Sequence, residues 1–152
     1  MQLLLVFLLN LALVLITILI HYETLYHLAI LLPNLKKVAP RYRVLFGVCV
    51  IFICHVFEIW IFALGYYGTL QLKGMGALVG VHSDNGQFLD CVYLSFVTFT
   101  TVGYGDLVAE GYARYLTGVE ALTGLILITW SASFLFIEMQ KYWTSNKSNQ
   151  VS

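Results

Sequence analysis

Nine consecutive residues, Thr98-Phe99-Thr100-Thr101-Val102-Gly103-Tyr104-Gly105-Asp106, have a spacing that suits one kind of chemistry: binding of a bare cation by backbone oxygens. Stripping water from a cation requires a stretch of main chain whose carbonyls all point toward one axis. Glycine adopts positive φ at low steric cost, and Gly103 and Gly105 sit at the alternate positions where such an arrangement needs it. Val102 and Tyr104 lie between them, with side chains able to turn outward and hold a ring at fixed width, and Thr101 adds a hydroxyl at the inner end. Four such strands around one axis would replace a hydration shell with carbonyl dipoles.

Other residues with chemical potential lie inside apolar runs. Counted at 1.5 Å per residue, Glu58 lies roughly 14 Å and Glu120 about 12 Å from the outer end of its run. A charge at such depth in a bilayer is costly unless paired, which makes both acids functional candidates. His55 precedes Glu58 by one helical turn and can share a hydrogen bond with it. Two readings stay open for the acids: hydrogen-bonded carboxyls that brace a scaffold, or a proton-sensitive gate. Leu125, Ile128, Ala132 and Phe136 recur at helical spacing. That face either lines a cavity, with Phe136 as a hydrophobic constriction, or packs against the preceding apolar run. Gly124 reads equally as a hinge and as a packing glycine. Cys49, Cys54 and Cys91 are widely spaced without a metal-ligand pattern, and the first two suit an apolar run as small hydrophobes. No nucleophile–base constellation appears, and Gly103-Tyr104-Gly105 does not follow a soluble βα unit, so the sequence points away from an enzyme.

The elements that must position these residues are those of a membrane protein. Hydrophobic residues make up 60% of the 152 and charged ones 11%, against about 25% charged in a soluble domain. The formal net charge is zero, which gives no reason to expect nucleic acid as a partner. Residues 3–20 form a first apolar run long enough to span. It lacks the basic start and small-residue cleavage site of a signal peptide and is read as retained. Residues 21–32 read either as an amphipathic surface helix or as a plain connector. Pro33 and Pro40 bracket a basic linker holding Lys36 and Lys37, with Arg41 and Arg43 just beyond. A second span covers 44–67, and a glycine-rich exposed loop covers 68–87, where Ser83, Asp84 or Asn85 caps the next helix. Residues 88–100 are too short to span and read as a re-entrant helix, tolerable at membrane depth only when buried in protein. A last span covers 112–142, with Tyr142 and Trp143 as an interfacial belt. The chain thus divides into 1–43 (first helix and basic linker), 44–143 (the main unit) and 144–152 (a disordered tail).

Thr101-Val102-Gly103-Tyr104-Gly105, flanked by Thr100 and Asp106, resembles the selectivity filter of potassium channel pore domains, and the resemblance extends over residues 44–141. It implies an all-α membrane protein of three transmembrane helices plus a re-entrant pore helix and selectivity-filter loop. One filter motif per chain implies a homotetramer around a tetrameric pore. Potassium would be the permeant ligand, held at Thr101, Val102, Gly103 and Tyr104, with no other cofactor and passive conduction as the activity. In the family the aspartate after the filter is commonly hydrogen-bonded to a pore-helix aromatic. The matching residue is Tyr93, so Thr100, Asp106 and Tyr93 are implied as filter support. Val97 stands where some bacterial relatives carry glutamate, and Ala109 stands near the place of a usual proline. Both departures concern filter stability. The family's topology puts Lys36, Lys37, Arg41, Arg43, Lys141 and Lys147 in the cytoplasm and only Lys73 and Arg114 outside, as the positive-inside rule requires. That implies a multi-pass plasma-membrane protein with its N-terminus outside and C-terminus cytoplasmic. Membrane lipids are then partners, with the basic cluster a modest site for anionic headgroups. Two alternatives remain: a non-conducting or modulatory subunit, and a less selective cation channel. The first 43 residues receive no function from the resemblance.

Overall fold

Val6, Asn10, Leu13, Thr17, His21, Leu25, Leu28 and Leu32 recur every three or four residues, and all are buried. That stripe makes α1 (Gln2–Asn34) one continuous helix, about 50 Å long at 1.5 Å per residue. The break expected after residue 20 is absent. His21 is a member of the buried face, and Pro33 falls in the last turn, where it interrupts little. The polar members Asn10, Thr17 and His21 turn inward while Leu4, Phe7, Leu15 and Leu19 face outward. This is the polarity of a helix surrounded by hydrocarbon. The computed structural model describes residues 2–72, 74–80 and 88–148, with side chains from 3 through 141.

A short link leads to α2 (Pro40–Gln71). This helix begins four residues before the expected 44 because Pro40 takes the first turn, where a missing N–H is harmless. It ends four residues later than expected. Its buried face includes Ile51, Cys54, Glu58, Phe62, Ala63 and Tyr66. It meets α1 so closely at Gly65 that a Cβ there would lie 2.5 Å from Leu13 Cδ1.

The glycine-rich stretch after α2 is not wholly an exposed loop. Residues 76–80 form β1 (Gly76–Gly80), antiparallel to β2 (Leu107–Gly111), in register from Gly76 opposite Gly111 to Gly80 opposite Leu107. The glycines there serve close approach: a Cβ on Gly80 would sit 2.2 Å from the Asp106 carbonyl oxygen. The expected caps Ser83, Asp84 and Asn85, and Lys73, lie outside the described residues. Next come α3 (Phe88–Phe99), about 18 Å long, and α4 (Ala113–Ser148). The helix α4 carries its backbone six residues past the expected end at 142, so 144–148 are helical rather than disordered. Residues 149–152, and the side chains of Tyr142 and Trp143, are outside the description.

Three helices, α1, α2 and α4, are long and apolar enough to cross a membrane, and α3 is not. The short helix α3 sits against α2 and α4. Phe62, Ala63 and Tyr66 meet Leu94 and Phe99 of α3, and Leu116 and Leu127 of α4, in one buried core. A second cluster joins Leu25, Leu28 and Leu32 to Ile51 at the other end of α1. Apart from the two-stranded ribbon, the described fold is all-α, as the sequence predicts.

Candidate functional site

The backbone turns left-handed at every second residue of the loop after α3: φ is +58° at Thr101, +53° at Gly103 and +79° at Gly105. Two of the three are glycines. Thr101 is not, and a side chain in that region costs about 1–2 kcal/mol. The carboxyl end of α3 holds it there. The Thr100 N–H donates to Phe96 O at 3.2 Å, the Thr101 N–H to Thr98 O at 2.9 Å, and the Gly103 N–H to Val97 O at 3.0 Å. The Thr100 hydroxyl also donates to Phe96 O at 2.7 Å. The loop therefore grows directly out of the carboxyl end of a helix, whose dipole places partial negative charge beside it and favours a cation.

Beyond the loop, the Tyr93 hydroxyl donates to Asp106 Oδ2 at 2.6 Å, the contact anticipated from the sequence. β2 follows at once, so the ribbon and this hydrogen bond together fix the far end. Thr100 through Asp106 are exposed on the single chain, Tyr104 by 72%. A Cβ placed on Gly103 or Gly105 would meet nothing within 4 Å.

Two helices, α2 and α4, brace α3 from behind. Ser95 donates to Ile59 O of α2 at 2.7 Å and also contacts Glu120 Oε1 of α4. The Tyr66 hydroxyl of α2 donates to Glu120 Oε2 at 2.6 Å. Glu120 is fully buried, and both its oxygens have partners. Tyr66 and Ser95 were not singled out from the sequence. Each is an ordinary hydroxyl residue there, and only the fold shows that both reach the same carboxyl. Gly124 presses α4 against the last residue of α3: a Cβ would stand 2.2 Å from Phe99 O. The packing reading of Gly124 thus has a direct cause in the geometry. Val97 and Ala109 are both buried, the latter opposite Leu78 in the ribbon.

Leu125, Ile128, Ala132 and Phe136 are exposed on α4, Phe136 by 58%. On the single chain the stripe is not covered by α2. Glu58, by contrast, is enclosed. His55 Nδ1 stands 2.8 Å from its Oε2, the one-turn pairing expected from the sequence, and His21 Nδ1 of α1 stands 2.9 Å from its Oε1. Ser131 of α4 closes the group, with Oγ 3.2 Å from Nε2 of both histidines. The His55 ring packs 5.7 Å from that of Phe99, so the group adjoins the base of α3. His21 is missed by a reading that ends the first span at residue 20, yet an ionisable residue within a membrane-length helix is itself the signal. A third buried acid, Glu138, pairs with Lys141.

Residues 44–141, more than half of the chain, match the family described as "Ion channel". The chain belongs to the ion channel family. The matched region starts within α2 and ends in α4, leaving α1 outside it. Among curated proteins the chain is similar to "Potassium channel subfamily U member 1" of Macaca fascicularis, with 38% identity over 55 residues. The similarity covers 36% of this chain and 5% of that protein, so the chain spans a small fraction of its relative's length. No solved structure matches it. The resemblance to potassium channel pore domains drawn from the filter motif therefore holds, and the protein is a membrane protein of the ion channel family.

Proposed function

We propose that the chain forms a homotetrameric, potassium-selective channel that conducts passively across the plasma membrane. The observation that carries this reading is the left-handed backbone at Thr101, Gly103 and Gly105, anchored by the Gly103 N–H to Val97 O hydrogen bond. Such alternation turns successive carbonyls toward one side, and four copies would surround a dehydrated ion. Carbonyls of Thr101, Val102, Gly103 and Tyr104 hold potassium, with the Thr101 hydroxyl at the inner end. Gly105 gives the last turn its freedom, while Thr100, Tyr93 and Asp106 support the loop. The exposed face of Leu125, Ile128 and Ala132 lines the cavity below, and Phe136 is its constriction. Neighbouring chains cover the open side of the filter. The pore domain is 44–143, the N-terminus is outside, and the basic cluster Lys36, Lys37, Arg41 and Arg43 meets the cytoplasmic leaflet. The activity is transport and not catalysis.

The test is the reversal potential of the purified full-length protein in planar bilayers, with potassium on one side and sodium on the other. A reversal that tracks the potassium gradient supports the reading. A reversal near zero would make the protein a less selective cation channel, and the absence of current would make it a subunit that does not conduct alone.

A further inference from the structure

The group of His21, His55 and Glu58 has a geometry beyond that of a polar contact between helices. One ligand atom from each lies within 4.8 Å of those of the other two. The two Nδ1 atoms approach different oxygens of one carboxylate, at 2.9 and 2.8 Å. His21 and Glu58 are fully buried and His55 keeps a side exposure of 16%, which leaves one route in. The far side of the rings supplies an independent observation. Both Nε2 atoms face Ser131 Oγ at 3.2 Å. A serine hydroxyl has one hydrogen to give but two sites at which to accept. Two neutral histidines that ligate through Nδ1 carry their hydrogens on Nε2, and Ser131 is placed to accept both. This is the outer support that metal-ligating histidines require.

We propose that His21, His55 and Glu58 form a binding site for a divalent transition metal of the zinc type, clamping α1 to the channel core. Imidazole and carboxylate ligands suit that class. Bonds of about 2.1 Å require each nitrogen–oxygen pair to part from hydrogen-bonding distance by only about half an ångström. One carboxylate leaves a divalent ion with a surplus positive charge in apolar surroundings. Cys54 Sγ, 3.3 Å from Glu58 Oε1, stands beside the group but outside the set of mutually close donor atoms, so the fourth position falls to a water or hydroxide entering beside His55, and hydroxide would neutralise that charge. The three helices that supply the group meet beside Phe99 at the base of α3, so the ion would tie α1 to the filter's foundation.

The experiment uses the full-length protein in detergent, stripped with a chelator and dialysed. Zinc bound per chain is measured by mass spectrometry, affinity by calorimetric titration, and coordination by the visible spectrum of the cobalt(II) form. We expect one ion per chain and tetrahedral cobalt bands without a thiolate charge-transfer feature. Glu58→Gln and His21→Gln should each weaken binding by about 100-fold or more, and Ser131→Ala by about tenfold. His27→Gln, at the surface pair of His27 and Glu23, should leave the stoichiometry unchanged. Failure of the wild-type protein to take up zinc or to give the tetrahedral cobalt spectrum overturns the site, and so does unchanged affinity in Glu58→Gln. These readouts do not depend on conduction, so a failed metal site and a failed channel reading are distinguishable.

Discussion

A single methyl group at Gly124 would collide with the carbonyl of Phe99, and backbone at the end of a packed helix cannot yield as a side chain can. Gly124→Ala is therefore expected to cost about 1–3 kcal/mol, read as a fall in the thermal unfolding midpoint of the detergent-solubilised protein. Glu120 accepts from Tyr66 and also meets Ser95, whose one hydrogen already serves Ile59 O. An amide at this position can accept from Tyr66 and donate to Ser95, so Glu120→Gln should be nearly neutral. Glu120→Leu strands Tyr66 and should cost about 1–3 kcal/mol. If the carboxyl is a brace, the pH profile of open probability is the same in Glu120→Gln as in wild type; a displaced profile makes it a gate. Removing the Tyr93 hydroxyl in Tyr93→Phe leaves Asp106 without that donor and should cost about 1 kcal/mol, with faster loss of current during sustained conduction. The left-handed angles at Gly103 and Gly105 were legible at this scale because they are written in glycine spacing, which needs no tertiary context, whereas the one at Thr101 was not. The Glu120 and Glu58 groups were only half legible. His55 and Glu58 share a helix turn, whereas His21 comes to the same carboxylate from 37 residues before it and Ser131 reaches the far side of both imidazoles from a helix far beyond.

Among the elements, α1 shows why hydrophobic runs alone misplace a boundary. Its inward stripe mixes leucine with Asn10, Thr17 and His21, so the contrast that marks a soluble amphipathic helix is inverted, and His21 reads as an end. The ribbon was hidden for a different reason. Its strands are five residues each and pair across an intervening helix and filter, and glycines that serve close approach look like those of a loose loop. Two glycine substitutions separate these interfaces. At Gly65 the obstructing atom is the tip of Leu13, which can rotate, so Gly65→Ala should lower the unfolding midpoint less than Gly124→Ala. At Gly80 the obstruction is the Asp106 carbonyl. Gly80→Ala should therefore shift the outer end of the filter and reduce potassium over sodium selectivity in bi-ionic recordings, while leaving α1 and α2 undisturbed.

At the scale of the whole molecule, the single chain leaves two surfaces open. The loop from Thr100 to Asp106 and the face bearing Leu125, Ile128 and Phe136 are open, while Glu58 and Glu120 are fully enclosed. A left-handed alternation held by α3 and left exposed among the described residues is what one quarter of a ring would present. The most direct measurement is the anomalous scattering of rubidium soaked into crystals of the assembled protein. The account predicts a row of rubidium peaks on a fourfold axis, bounded by the carbonyls of Thr101, Val102, Gly103 and Tyr104. Filter loops turned away from any common axis, or an axis without ions between those carbonyls, would contradict it.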